Sequence, residues 1–149
     1  IRRRQRQMCI RDRYEREAIE PLFPFGHGLS YTTFEYSDLR AIPPKGESSV
    51  AAFEVAVKNS GNLSGKEIVQ GYIGSSSSQI ERPNKELKKF DKVFLAPGES
   101  KKVIFELSER DLSFWNVETN TWQVEPAEYI FSIGSSATDI KETVSVWLG

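Results

Sequence analysis

Along most of the chain apolar residues recur at every second position, the period of a half-buried strand. From Ser48 to Lys58, Val50, Ala52 or Phe53, Val55 and Val57 point inward while Glu54 and Lys58 point out, and the run ends in the turn cluster Asn59-Ser60-Gly61-Asn62. Phe53, Val55 and Val57 are the expected core of this strand. Lys66 to Ile73 and Leu87 to Leu95 read as two more strands. Ala96-Pro97-Gly98-Glu99 then turns into Lys101 to Leu107, where Val103, Phe105 and Leu107 alternate with Lys102, Ile104 and Glu106. Ser108 to Ser113 predicts a short helical crossing, with Ser108 at its N-cap and Glu109 and Asp111 suited to its first turn. Phe114 to Val117 and Trp122 to Val124 flank Glu118-Thr119-Asn120-Thr121 as a hairpin, and Glu128 to Gly134 and Lys141 to Leu148 close the set.

Seven or eight short strands punctuated by Pro, Gly and Asn, without a convincing amphipathic helix or an internal repeat, predict an all-β antiparallel sandwich of immunoglobulin-like type. The first thirteen residues stand apart from this pattern. They hold six arginines and one aspartate, so the full chain's 20 basic and 21 acidic residues become 14 and 20 beyond them. The string Arg3 to Arg13, RRQRQMCIRDR, resembles a translated sequencing adapter, and residues 1–13 are read as a non-native segment. The alternative is a basic arm for nucleic acid or membrane; no apolar stretch follows it as in a signal peptide. The remaining acidic domain has no clustered cations for phosphate, and no nucleic-acid partner is expected. The sole cysteine, Cys9, lies in the suspect segment, which removes disulfides and cysteine metal sites from the rest. No apolar run approaches the length of a membrane span. No cofactor and no metal are expected.

Pro21 to Phe34, PLFPFGHGLSYTTF, is the most distinctive stretch. Pro21 and Pro24 fix φ and push Glu20 and Phe23 toward extended geometry, while Gly26 and Gly28 open conformations closed to other residues, so the chain turns sharply here. Leu22, Phe23, Phe25, Leu29 and Tyr31 crowd the turn and exceed what one small sandwich edge can cover, so some are expected to be exposed unless a partner buries them.

The remaining candidates for chemistry are sparse. Glu81, Glu86, Asp91, Glu109 and Asp111 are spread over strand faces and turns, as solvated charges are. His27, the only histidine, can be a proton shuttle or a hydrogen-bonded junction residue; with Ser30 as a turn neighbour it lacks the scaffold for a catalytic triad. Arg82, stiffened by Pro83, can clamp a carboxylate on a neighbouring domain or pair locally with Glu81 or Glu86. Trp115, Trp122 and Trp147 can stack on sugar rings or serve the sandwich core, and Asn62-Leu63-Ser64 matches a glycosylation sequon.

The stretch PLFPFGHGLSYTTF resembles the linker of glycoside hydrolase family 3 enzymes, the β-glucosidase and β-xylosidase group, between their α/β sandwich domain and their C-terminal fibronectin type III-like domain. Val57 to Gly61 with Gly65 to Gln70 resembles that domain's VxNTGxxxGxEVVQ, Arg82 to Phe90 its RPxKELKGF, Leu95 to Ser100 its LxPGES, and Asp111 to Trp115 its DLSFY. Lys89 stands where the family often has Gly, and Gly71 where it usually has Leu. The resemblance implies a junction over residues 14–32 and a fibronectin type III-like domain over 33–149. It also implies that the two catalytic carboxylates of a retaining β-glycosidase lie in upstream domains. No activity is then expected from this chain. Its expected partners are the catalytic domains of the parent, contacted through Leu22, Phe23, Phe25, His27, Leu29, Tyr31 and Arg82, and a homodimer is a further arrangement. The resemblance leans toward a periplasmic or secreted protein and leaves the cytoplasm open. A carbohydrate-binding module and a free-standing interaction domain are the alternatives.

Overall fold

The computed structural model describes residues 13–14, 17–75, 77–78 and 83–149. The expectations for residues 1–12, Glu81 and Arg82 lie outside them. The described chain is all-β, with strands β1 (Phe34–Ile42), β2 (Ser49–Asn59), β3 (Gly65–Ser75), β4 (Glu86–Leu95), β5 (Ser100–Ser108), β6 (Phe114–Asn116), β7 (Thr121–Gln123), β8 (Ala127–Gly134) and β9 (Ile140–Leu148), and one helical turn α1 (Glu109–Leu112). Sheet A has the order β1-β2-β5 and sheet B the order β4-β3-β8-β9, each pairing antiparallel, while β6 and β7 form a separate hairpin.

The sandwich is built as the alternation predicts. Phe53, Val55 and Val57 of β2 and Val103, Phe105 and Leu107 of β5 are buried facing Val69, Val93, Leu95, Phe131 and Ile133 of sheet B. Across the gap the Phe53 and Phe131 rings stack with centroids 4.1 Å apart. Gly71 explains itself here, since a Cβ at that position would come within 2.9 Å of the Phe131 ring. The aromatic occupies the space that a larger side chain at position 71 would need.

Two strands depart from the expectation. Val50 is 42% exposed, not inward: a bulge between Ser49 and Ala51 breaks the alternation, and Ala51, Ala52 and Phe53 are all buried. Strand β1, whose start the junction implies but whose course the pattern does not delimit, is interrupted between Ser37 and Arg40, with Asp38 in the left-handed region at φ 59°. At this edge Leu39 N–H donates to Glu142 Oε2 of β9 (2.7 Å) and Tyr36 Oη–H to Glu67 Oε1 of β3 (2.7 Å), tying the two sheets together.

Helix α1 is capped as predicted at Ser108. Both its N–H and its hydroxyl donate to Asp111 Oδ2 at 2.8 Å. Lys89 reaches the same oxygen at 2.9 Å. Lys89 thus links strand β4 to the cap.

Candidate docking surface at the junction

The segment before β1 is anchored to the sandwich by its backbone. Gln70, 4% exposed on the outer face of sheet B, donates through Nε2 to the carbonyls of Gly26 (3.3 Å) and Ser135 (2.5 Å), while its Oε1 accepts from the Tyr72 hydroxyl (2.6 Å). Every polar atom of this buried amide is therefore used. Beside it, Ala137 N–H donates to the Phe25 carbonyl (2.8 Å) and His27 N–H to the Pro24 carbonyl (3.0 Å). Gly26 sits at φ 80°, and a Cβ there would fall 2.2 Å from Gln70 Oε1. Only glycine brings the backbone close enough to be held.

The second anchor is Asn59, which has no exposed surface. Its Oδ1 accepts from Thr32 Oγ1–H (2.7 Å) and Gly61 N–H (3.1 Å), and its Nδ2 donates to the carbonyls of Leu63 (2.8 Å) and Leu95 (3.0 Å). Its own N–H and carbonyl bind Glu99 and Gly98. One residue thus joins the junction to the β2–β3 and β4–β5 turns. Gly61 lets Thr32 approach, because a Cβ at 61 would lie 2.2 Å from Thr32 Oγ1.

Bound by the Phe25 and Gly26 carbonyls and the Thr32 hydroxyl, the junction holds its apolar side chains outward. Leu22, Leu29 and Tyr31 are 89%, 93% and 98% exposed, Phe23 is 70% and Phe25 50% exposed. His27 is exposed with its ring 5.6 Å from that of Phe23. Ser30 Oγ accepts from Thr32 N–H, so it serves the turn and not a triad with His27. Arg82 is outside the described residues, and Glu86, one of its suggested local partners, pairs with Lys88 at 3.1 Å.

The patch continues onto sheet B. The register sets Phe90 beside Gln70, Phe94 beside Lys66 and Lys92 beside Ile68, on the face opposite Val69, Val93 and Leu95. Phe90, Phe94 and Ile68 are exposed there. Sequence reasoning missed these three, although a signal was present: Val93-Phe94-Leu95 is apolar on both strand faces, the mark of a strand covered from both sides. The outer face of sheet A is the opposite case. There Arg40 and Lys102 both bind Glu54 Oε1, at 2.7 and 3.0 Å, and hold its carboxyl below the usual range, chiefly through the Lys102 hydrogen bond. Ile104, paired with Glu54, is also exposed there, but of the two outer faces it is sheet B that carries exposed aromatic rings.

Comparison with known proteins agrees with the architecture: the Fibronectin type III-like domain matches residues 67–137. The fold is that of a fibronectin type III-like domain. It is 50% identical over 137 residues to thermostable beta-glucosidase B of Acetivibrio thermocellus, with 89% of this chain and 18% of that protein covered. Among solved structures it is similar to the D2-BGL beta-glucosidase from Chaetomella raphigera, with TM-score 0.85 and 36% identity over 93% of this chain and 22% of that one. It is likewise similar to a family 3 beta-glucosidase from Bifidobacterium adolescentis, with TM-score 0.84 and 35% identity over 92% of this chain and 20% of the other. The chain spans about a fifth of these relatives. Most of each relative therefore lies outside the matched stretch. Among the described residues no helix is long and apolar enough to cross a membrane.

Proposed function

We propose that the chain is a non-catalytic accessory domain of a family 3 β-glycosidase, with residues 14–32 as the junction and 33–149 as the domain proper. In this reading the ridge from Leu22 to Tyr31, extended by Phe90, Phe94 and Ile68, seats on the α/β layers of the same parent chain and stabilises them. Hydrolysis of terminal β-linked sugars belongs to the absent domains, which hold the nucleophile and the acid/base carboxylate. The observation that carries this is the division of labour at the junction: the buried amides of Gln70 and Asn59 hold the Gly26 carbonyl and the Thr32 hydroxyl while its largest side chains stand in water. A flexible linker has no use for Gln70 and Asn59, and a free-standing domain has no use for the ridge. A second copy of the chain is the competing occupant of the same surface.

The test is titration of this chain into the separately produced catalytic portion of the parent. Binding with a higher melting temperature for the catalytic portion is expected, and aryl β-glucoside hydrolysis should reside in that portion alone. Turnover by this chain alone, or a catalytic portion indifferent to it, overturns the reading. Concentration-dependent dimerisation of this chain that the catalytic portion does not reverse assigns the ridge to a second copy instead.

A further inference from the structure

Hairpin β6–β7 belongs to neither sheet, yet it carries two of the three tryptophans in direct cross-strand register, Trp115 opposite Trp122. Both indoles are about half exposed, their centroids 5.6 Å apart and their planes at 71°. From α1 the Arg110 guanidinium lies 3.6 Å from the centre of the Trp122 ring. Gln123 stiffens the hairpin by accepting from Asn116 Nδ2 (2.9 Å) and donating to Thr119 Oγ1 (3.2 Å). Between helix and hairpin runs an open groove of about 490 Å³ lined by Glu109, Arg110, Ser113, Trp122, Gln123 and Val124. That volume falls within the range of small-ligand sites.

We propose that this groove binds a short, neutral oligosaccharide. The Trp122 indole, on the face that Arg110 leaves open, suits the C–H face of a pyranose, and the Glu109 carboxylate and Arg110 guanidinium can exchange hydrogen bonds with sugar hydroxyls, while the Ser113 hydroxyl and the Gln123 carboxamide are engaged with the Arg110 carbonyl and within the hairpin. One acid and one base cancel, which disfavours a charged ligand. The indoles meet at a corner, so the site suits a few sugar units in solution and not the flat run of rings on an insoluble polymer. Arg110 and the capped helix hold Trp122 in place before the ligand arrives, which limits the ordering cost of binding. Trp147, also exposed, pairs with Glu128 on sheet B and takes no part. The inference is independent of the docking surface, because it concerns the isolated chain and a different set of residues.

The experiment is titration of the nitrogen-labelled 149-residue chain with cellotriose, following the three indole N–H signals by NMR. Saturable shifts of Trp115 and Trp122 are expected, with Trp147 unmoved and a dissociation constant on the order of 1 mM. Trp122→Ala should weaken binding at least about tenfold and Trp147→Ala should not change it. Should Trp122→Ala disturb the hairpin, Arg110→Ala provides the second variant, with the indoles retained and binding expected to fall several-fold. Absence of indole shifts at about 50 mM sugar, shifts centred on Trp147 or the junction, or tight binding to insoluble cellulose with none to the trisaccharide would each overturn the proposal. So would movement of the Trp115 and Trp122 signals by the catalytic portion and not by sugar.

Discussion

Asn59→Ala should be among the most damaging single changes in this molecule, although it removes only an amide. Four hydrogen bonds between 2.7 and 3.1 Å leave with it. Their partners do not suffer equally. Leu63 is 57% exposed and its turn can rehydrate, as can the N–H of Gly61, but Leu95 is fully buried and Thr32 is 9% exposed. Two buried groups then lose their partners at about 1–3 kcal/mol each, less whatever a water entering the vacated space recovers. A loss of about 3 kcal/mol follows, a large share of the 5–15 kcal/mol typical of a domain. For a chain of this size it corresponds to a fall in melting temperature of about 10 °C. Urea unfolding at neutral pH measures it, with Asn62→Ala on the neighbouring exposed turn as a control expected to stay within about 0.5 kcal/mol. If Asn59→Ala loses less than about 1 kcal/mol, or no more than the control, the hub does not hold the junction to the two turns as argued.

Gly26→Ala should cost about 1–3 kcal/mol through its positive φ and its collision with Gln70, and should release the Ala137 amide to faster hydrogen exchange; unchanged exchange at Ala137 would show that the junction docks by other means. The pH dependence divides by sign. Burial, and behind it the charge of Asp139, raises the Glu67 carboxyl despite the Tyr36 hydrogen bond, so Glu67 works against folding as pH climbs above the ordinary glutamate range. Glu67→Gln should therefore gain stability relative to the parent sequence between about pH 4 and 7, and a flat difference would refute this. For Asp111 burial is also the largest influence and pushes upward, but the Lys89 ammonium and the Ser108 donors outweigh it and hold the carboxyl low. Its contribution is present above the ordinary aspartate range and lost as pH falls through the lowered value.

How much of this was legible depended on whether one residue answered to one role. Strands such as β9, with strict alternation, and β5, with one inward apolar set, could be read directly, and Ser108 with Asp111 three residues on announced the cap. Strand β1 could not be bounded because the break at Asp38 moves its later residues out of the period that its earlier ones set. Gln70 and Asn59 are polar at buried positions, and their meaning lies in carbonyls and hydroxyls up to 65 residues away, which no local pattern encodes. That apolar side chains between Leu22 and Tyr31 would be exposed could be read from composition, whereas Phe90 and Phe94 required the register that sets β4 beside Gln70.

The central claim is that the outward side chains of the junction are half of an interface, and Leu29 tests it most directly because it is 93% exposed here, whereas Phe25 is already half covered. Leu29→Ala should be made both in this chain and in the full-length parent, and each unfolded in denaturant. In the isolated chain the change should stay within about 0.5 kcal/mol; in the parent, where the same leucine would be buried, it should cost about 2–5 kcal/mol. A parent as indifferent as the isolated chain, or an isolated chain that loses as much as the parent, would contradict the account.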